Sequence, residues 1–142
     1  MKVGVNTVNI SKNIIENIGF GNSDLKYQQA CYGLNIRSIC KNNNCTAYKD
    51  TIYIKIGYVR GWNLLENLKE KVICPMCNRR VSPLNFGFTN CNYEIEYEIY
   101  VKDGYENGNI NGRAEKSDFK IFNEEKSGKA NFTYLIFTVI PL

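Results

Sequence analysis

The clearest alternation of apolar and polar positions lies between residues 93 and 100. Successive side chains of a strand point to opposite faces, so this pattern predicts a strand with one buried and one solvated face. Three carboxylates on one face could also serve acid–base chemistry or bind a metal, but a solvated strand face is the simpler interpretation. The predicted buried face carries Ile95, Tyr97 and Ile99, and the solvated face carries Glu94, Glu96 and Glu98.

Four further segments have the composition of regular elements. Residues 51–59 are rich in β-branched and aromatic side chains, which predicts a strand. Three leucines within residues 61–71 predict a helical turn. Residues 119–122 and 131–140 predict two final strands, the last of them too apolar to be exposed on both faces.

Two segments are predicted to be less regular. Residues 10–18 place four isoleucines on one face of a possible short helix. Residues 102–117 are rich in glycine and asparagine and nearly free of large apolar groups. This composition predicts a long loop or a loose hairpin tip.

The net charge is mild. The chain has 18 basic and 14 acidic residues, which gives a formal charge of +4. Four thiolates around one zinc ion would lower this to roughly +2. A tight electrostatic grip on nucleic acid requires more charge, so the balance permits an RNA partner without favouring one.

The chain contains no histidine, which removes the commonest general base and the usual imidazole ligand. No apolar run approaches the ~18–20 residues of a membrane helix, and residues 1–6 lack the apolar core of a signal peptide. The expectation is a non-enzymatic cytoplasmic protein with no membrane partner and no small-molecule substrate. In the reducing cytosol, clustered cysteines more often bind metal than form disulfides.

Four of the six cysteines fall into two closely spaced pairs. Cys74-Pro75-Met76-Cys77 is a C-x₂-C knuckle, and Cys40 and Cys45 flank a four-residue loop, at the long end of the spacing for metal-binding turns. The intervening segment has room for a strand and a helical turn that return the second pair to the first. We predict one structural Zn²⁺ on these four thiolates, in a closed tetrahedral site that activates no water.

The remaining cysteines and the competing site types are weaker candidates. Cys91 could replace one ligand, but it forms no knuckle with a neighbour, so a buried apolar cysteine is favoured, and Cys31 is expected to be a bystander. A redox C-x-x-C would open a long helix, which residues 78–83 do not predict. An iron–sulfur cluster also takes four cysteines, but nothing nearby indicates redox work. A catalytic thiol would lack a histidine partner.

Together, the predicted elements and the cysteine motif indicate a fold that is α+β and mostly β. One small zinc-stabilised domain would span residues 1–142, with a four-cysteine knuckle site and an antiparallel sheet. Residues 1–30 are expected to be weakly structured or helical, and residues 33–100 to form the zinc core. Residues 101–142 would contribute a loop and the C-terminal strands.

Basic side chains surround the two knuckles in sequence. The candidate RNA contacts are Lys41, Arg79 and Arg80, with Arg37 and Arg60 nearby. Arginine's planar fork suits phosphate or a base edge. The alternative is that these cations only offset the −2 charge of a zinc–thiolate centre and stay solvated.

Two further groups could contact RNA. Trp62, Phe86 and Phe88 could stack on bases, but core packing is the favoured interpretation, because all three lie among residues that must cover the zinc site. The glycine- and asparagine-rich segment carries cations that could become ordered on a partner. These cations are Arg113 and Lys116, followed by Lys120.

The order of these motifs resembles a eukaryotic zinc-domain family. Its members carry the patterns GLN-L-x-G-x-C-x₄-C-x-A and C-P-x-C … G-F-x-N-C. The resemblance covers about residues 33–100. The matching segments are Gly33-Leu34-Asn35-Ile36, Cys40 to Tyr48, Ile54-x₂-Gly57, Cys74 to Cys77 and Phe86 to Cys91.

The resemblance implies one of two binding functions. Some family members are RING-like modules of the ubiquitin pathway, although a cross-braced RING needs eight ligands and this chain has six cysteines. Short stand-alone members are similar to microsporidian dormancy factors, which occupy the tRNA exit site of idle ribosomes. The chain is also rich in Asn, Ile, Lys and Tyr, a bias typical of proteins from AT-rich genomes. This bias and the stand-alone domain favour the second function. The expected partner is then the ribosome, through rRNA and ribosomal proteins near that exit site.

Overall fold

The structure, a computed structural model, describes residues 15–17, 24–101, 103–122 and 131–142. Within these ranges the chain is mostly β, as predicted, with one four-residue helix and a short 3₁₀ turn at Lys26–Gln28. The elements are β1 (Ile15–Asn17), β2 (Gly33–Ile39), β3 (Thr51–Gly57), β4 (Val59–Asn63), α1 (Leu64–Asn67), β5 (Asn85–Thr89), β6 (Cys91–Val101), β7 (Gly104–Ala114), β8 (Lys120–Phe122) and β9 (Asn131–Pro141).

The strands form two antiparallel sheets. The first has the order β1-β8-β5-β2-β3 and the second the order β4-β9-β6-β7. The chain passes from the first sheet to the second at two single residues, Tyr58 between β3 and β4 and Asn90 between β5 and β6. The Tyr58 hydroxyl donates a hydrogen bond of 2.8 Å to the Asn90 carbonyl oxygen, so the two crossing points are tied together.

The main apolar core lies between the two sheets and includes side chains from both. Across it, Phe88 of the first sheet stacks on Tyr93 of the second with ring centroids 4.4 Å apart. Phe86 packs against Phe137 across the same core in a tilted arrangement, with ring centroids 5.1 Å apart. The alternation predicted for residues 93–100 is confirmed, since Ile95, Tyr97 and Ile99 are buried in this core.

The outer face of β6 is the solvated carboxylate face that the sequence predicts. Its glutamates pair with neighbouring strands, since Asn109 donates to Glu94 at 2.9 Å and Thr133 donates to Glu98 at 2.7 Å. Glu96, between them, is exposed. These carboxylates therefore belong to a polar strand face held by cross-strand hydrogen bonds.

The short predicted elements are largely confirmed. Residues 51–57 form β3, and β8 and β9 match the two predicted final strands. The predicted helical turn is α1, whose first turn is capped by the Asn63 side chain accepting from the Leu65 amide. In the described ranges, no helix has the length and apolar character that crossing a membrane requires.

The predicted helix over residues 10–18 is wrong where the structure describes it. Ile15–Asn17 is a strand that pairs with β8 at the edge of the first sheet, and Ile15 packs against the main core. Pairing with a sheet edge here outweighs the weak local preference for a helix. The other residues of that predicted helix lie outside the described residues.

The prediction of a long loop or a loose hairpin tip over residues 102–117 is also wrong over most of its length. Gly104–Ala114 is strand β7, paired with β6 along its whole length. Tyrosine rings of β6 cover its glycines, because a Cβ on Gly108 would lie 2.1 Å from the Tyr97 hydroxyl oxygen and one on Gly112 would lie 2.5 Å from that of Tyr93. The aromatic rings occupy the space that side chains of β7 would fill, which stabilises a sequence with a poor intrinsic preference for strands.

Candidate metal centre

Four cysteine sulfur atoms converge at the end of the β2–β3 ladder. Cys40 follows β2, Cys45 lies in the loop before β3, and Cys74 and Cys77 belong to the segment between α1 and β5. The four Sγ atoms all lie within 4.8 Å of one another. The prediction that these four cysteines meet is therefore confirmed.

The spacing of the sulfurs fits one tetrahedral ion. The Sγ atoms of Cys40 and Cys77 are 3.8 Å apart, and so are those of Cys45 and Cys74. Metal–sulfur bonds of about 2.3 Å in a tetrahedron place the sulfurs about 3.8 Å apart. A disulfide would need sulfurs about 2.05 Å apart, and all six cysteines are free. The cluster could thus hold a metal ion.

The other two cysteines lie outside the cluster. Cys91 is fully buried in the main core, which confirms the interpretation of a buried apolar cysteine. Burial raises the pKa of the Cys91 thiol to about 12. Cys31 is half-buried, and its thiol lies 3.7 Å from the Leu34 carbonyl oxygen.

Backbone geometry shapes both knuckles. The Met76 amide donates to the Cys74 sulfur and the Ala47 amide to the Cys45 sulfur, each at 3.4 Å. Asn78 ends the second knuckle in the left-handed region with φ 62°, and its amide donates to the Cys74 carbonyl oxygen at 2.8 Å. Asparagine tolerates that region better than most residues, so the tight turn costs little here.

The surroundings of the sulfurs pull their pKa values in opposite directions. Burial raises the pKa of the Cys40 thiol to about 12. Hydrogen bonds from the Asn42 side chain and the Arg79 backbone lower the pKa of Cys77 to about 6. A bound cation would supply the charge that lets the buried sulfurs ionise together, so metal binding releases protons.

A second, smaller apolar cluster packs around the cysteines. Beside Cys40 and Cys74 it contains Tyr27, Ala47 and Ile52. The Tyr27 hydroxyl donates to an Asp50 carboxylate oxygen at 2.7 Å, which ties the 3₁₀ turn to the first knuckle. Sequence reasoning missed Tyr27, because a single tyrosine in a polar stretch gives no periodic signal.

The aromatic side chains predicted to cover the zinc site pack elsewhere. Phe86 and Phe88 are fully buried in the main core between the sheets, and Trp62 packs against its edge. Core packing is therefore confirmed over base stacking for the two phenylalanines. Their predicted place above the cysteines was wrong, because β5 faces the second sheet.

An open cavity of about 440 Å³ lies beside the cysteine cluster. It gathers three of the predicted RNA contacts, Lys41, Arg79 and Arg80, all of them exposed. The rest of the lining is Ser38, Ile39, Cys40, Asn42, Val81, Ser82 and Leu84.

The other two candidate contacts lie apart from this cavity lining. Arg37 lies on β2 with its guanidinium 5.6 Å from the centre of the Tyr53 ring, and its Nε is buried without a hydrogen-bond partner. Arg60 is exposed on β4, in the second sheet. Sequence proximity to the cysteines therefore grouped residues that the fold separates.

The cavity cations have no carboxylate partner in the part of the chain that the structure describes, where the one ion pair joins Arg113 and Glu115. The cations predicted in and after the glycine- and asparagine-rich segment contact other parts of the protein. Lys120 donates to the Arg113 carbonyl oxygen at 2.8 Å, and the Lys116 ammonium lies 5.9 Å from the Tyr32 ring centre. The positive charge beside the cysteine cluster is thus available to an outside anion.

Comparisons with known proteins give no relative. No protein-family model matches the chain, and no curated protein or solved structure does so either. The functional interpretation therefore depends on the geometry of the cluster and cavity together with the sequence motifs.

Proposed function

We propose that the protein is a non-enzymatic, ribosome-binding hibernation factor that occupies the tRNA exit site and keeps ribosomes idle. The observation that carries the proposal is the convergence of Lys41, Arg79 and Arg80 at one cavity beside the cysteine cluster. The resemblance of residues 33–100 to a zinc-domain family supplies the ribosomal context.

Zinc is the proposed metal. Four thiolates with sulfurs 3.8 Å apart in two pairs suit a single tetrahedral ion, and structural zinc sites commonly have four cysteine ligands. A polynuclear iron–sulfur core would need more space between its thiolates. With four protein ligands the ion has no open position, so its role is to hold the knuckle segments in place.

The knuckles present cations in a way that suits RNA. Arg79 and Arg80 follow the second knuckle directly, and the Arg79 carbonyl oxygen accepts from the Cys74 amide at 2.8 Å. The backbone of the cationic segment is therefore fixed by the metal site, which lowers the entropy lost on binding. Three unpaired cations also outnumber the −2 charge of a zinc–thiolate centre, so they do more than neutralise it.

Inhibition in this proposal is steric. A protein seated in the exit site through rRNA phosphates excludes deacylated tRNA without any chemical step. Its site of action is the cytoplasm, where ribosomes are.

Co-sedimentation with purified ribosomes through a sucrose cushion at moderate salt tests the proposal. The zinc-loaded protein is expected to pellet with ribosomes, and excess deacylated tRNA is expected to displace it. The variant Arg79→Gln/Arg80→Gln should bind at least about tenfold more weakly, because each lost phosphate contact costs about 1–3 kcal/mol. The control Lys69→Gln/Lys71→Gln removes the same charge from exposed positions outside the cavity.

Two results would contradict the proposal. One is a zinc-loaded protein that stays in the supernatant at all salt concentrations. The other is binding that deacylated tRNA leaves unchanged, since a factor in the exit site must compete with it. If both double variants weakened ribosome binding equally, binding would depend on overall positive charge and not on the cations of the cavity.

A RING-like interaction module is the second candidate. The observation that favours it is the exposure of apolar groups beside the cysteines, since Met76 is 50% exposed and Tyr48 39%. The candidate metal cluster has four ligands, half the number that a cross-braced RING needs. Ubiquitination assays with a panel of conjugating enzymes test it, and a blank panel would eliminate it.

A further inference from the structure

The cavity beside the metal centre has two walls from distant parts of the chain. Residues 38–42 form one wall, and residues 79–82 with Leu84 form the other. The Ser38 hydroxyl donates to the Ser82 carbonyl oxygen, and the Leu84 amide donates to the Arg37 carbonyl oxygen at 2.8 Å. These hydrogen bonds join the walls, so the cavity is formed before any ligand arrives.

Each part of the lining suits a different part of a ligand. Ile39, Val81 and Leu84 are half-buried and provide apolar surface. The cations Lys41 and Arg79, with Arg80, add positive charge, and no carboxylate is among the described lining residues. A ligand that matches both surfaces needs a flat or apolar body and an anionic group.

The size of the cavity limits what enters it. Its volume of about 440 Å³ lies in the lower part of the range for small-ligand sites, about 300–1,000 Å³. That leaves room for one base with its sugar and phosphate, whereas a helical stretch of RNA could only lie across the mouth.

We propose that this cavity binds a single nucleotide unit, with the base against the apolar wall and the phosphate on the cations. The inference deepens the proposed function and rests on it for the partner, since the unit could be a splayed-out nucleotide of rRNA or a free nucleotide. The unit is a ligand and undergoes no reaction. Single-stranded RNA is commonly bound in this way, with an unstacked base held on a protein surface.

The lining predicts weak discrimination between bases. Asn42 is the amide side chain of the cavity, and it is engaged by the Cys77 sulfur and by the Asn44 amide at 3.1 Å. It is therefore not free to read a base edge. Affinity should depend on the area of the base, so purine nucleotides should bind somewhat more tightly than pyrimidine nucleotides.

Titration of the zinc-loaded full chain with AMP, adenosine and inorganic phosphate tests the inference by amide NMR shifts. AMP is expected to shift residues 38–42 and 79–84, with an affinity at least about tenfold above either fragment. Arg79→Gln/Arg80→Gln should weaken AMP binding about tenfold or more. Ser82→Trp places a ring at the cavity and keeps every cation, so it should also abolish binding. Lys69→Gln/Lys71→Gln should bind AMP like the parent protein.

Three outcomes would overturn the inference. These are no AMP binding at millimolar concentration, equal affinity for AMP and phosphate, and AMP binding that Ser82→Trp leaves intact. None of these outcomes changes the result of the co-sedimentation assay, so the ribosome proposal can hold even if the single-nucleotide inference is wrong. Conversely, AMP binding by a protein that never pellets with ribosomes keeps the cavity assignment and removes the ribosome proposal.

The ribosome assay separates the two sources of the nucleotide. If Ser82→Trp also weakens co-sedimentation about tenfold or more, the cavity takes a nucleotide of rRNA. If Ser82→Trp pellets normally but no longer binds AMP, the ligand is a free nucleotide. Both results support a single-nucleotide cavity.

Discussion

Removal of the proposed zinc ion should release four thiols and leave the main core intact. The buried apolar side chains form two clusters, one between the sheets and a smaller one around the cysteines. Residues 40–50 and 73–80 carry the ligands and should become mobile without the ion. Strand β6, which holds Cys91, is paired on both sides and should remain folded.

The structure fixes how many of the six cysteines react in each state. In the zinc-loaded protein only Cys31 is available, because it is half-buried and outside the cluster. A chelator should add the four cluster cysteines, which gives five. Cys91 is fully buried and should react only after global unfolding, which brings the count to six.

The protection of Cys91 can be given a magnitude. Exposing it requires opening the main core, and domains of this kind unfold at a cost of about 5–15 kcal/mol. An opening cost of 5 kcal/mol alone slows labelling more than about a thousandfold.

Labelling with a thiol reagent at pH 8, read by intact mass, checks these counts. The expected adducts are one, five and six in native, chelated and denatured protein, and metal analysis should find one zinc per chain. Cys31→Ser should lower each count by one, and Cys91→Ala should lower only the denatured count. Six rapid adducts in chelated protein would refute the idea that the two clusters are independent. Five adducts in native protein would refute the metal site.

Three further predictions follow from individual contacts. Arg79→Gln/Arg80→Gln should make the slope of log K for ribosome binding against log salt less steep by about 1.4–1.8, because each phosphate contact contributes about 0.7–0.9. Gly33→Ala should cost about 3 kcal/mol or more in urea unfolding, since φ is 94° and the new Cβ would lie 2.5 Å from the Gly57 backbone. The hydrogen bond to the Asp50 carboxylate raises the pKa of Tyr27 from 10.0 to about 12. The stabilisation from this hydrogen bond is therefore fully present below pH 10 and is lost as the pH rises through about 12. Tyr27→Phe should remove this decrease in the free energy of unfolding between pH 10 and 12.

Matched controls decide each of these results. Gly57→Ala carries a similar φ of 85° with no atom near the new Cβ, so it should cost only about 1–2 kcal/mol. Equal losses for the two alanines would mean that the clash plays no part. An unchanged salt slope would remove the arginines from phosphate binding, and a parent protein with stability constant from pH 10 to 12 would contradict the role of Tyr27.

The cysteine cluster was predictable because its information is local. A C-x₂-C knuckle and a C-x₄-C loop each bring two sulfurs together through backbone turns of a few residues, whatever the rest of the chain does. The pairing of the two turns was expected because the intervening segment has room for a strand and a helical turn that return the second pair to the first. Strand β6 was equally predictable, since alternation over eight residues records which face is buried.

Strand β7 and the cavity were decided only by the tertiary structure. Glycine and asparagine have a poor intrinsic preference for strands, and β7 forms because Tyr93 and Tyr97 on β6 cover its glycines. Lys41 meets Arg79 and Arg80 because the cysteines join two segments about 40 residues apart, while Arg60 follows β4 into the other sheet. The sequence by itself determined which residues could bind a metal and which strand faces are buried. Long-range pairing decided which cations share a surface, because no local pattern encodes where distant segments meet.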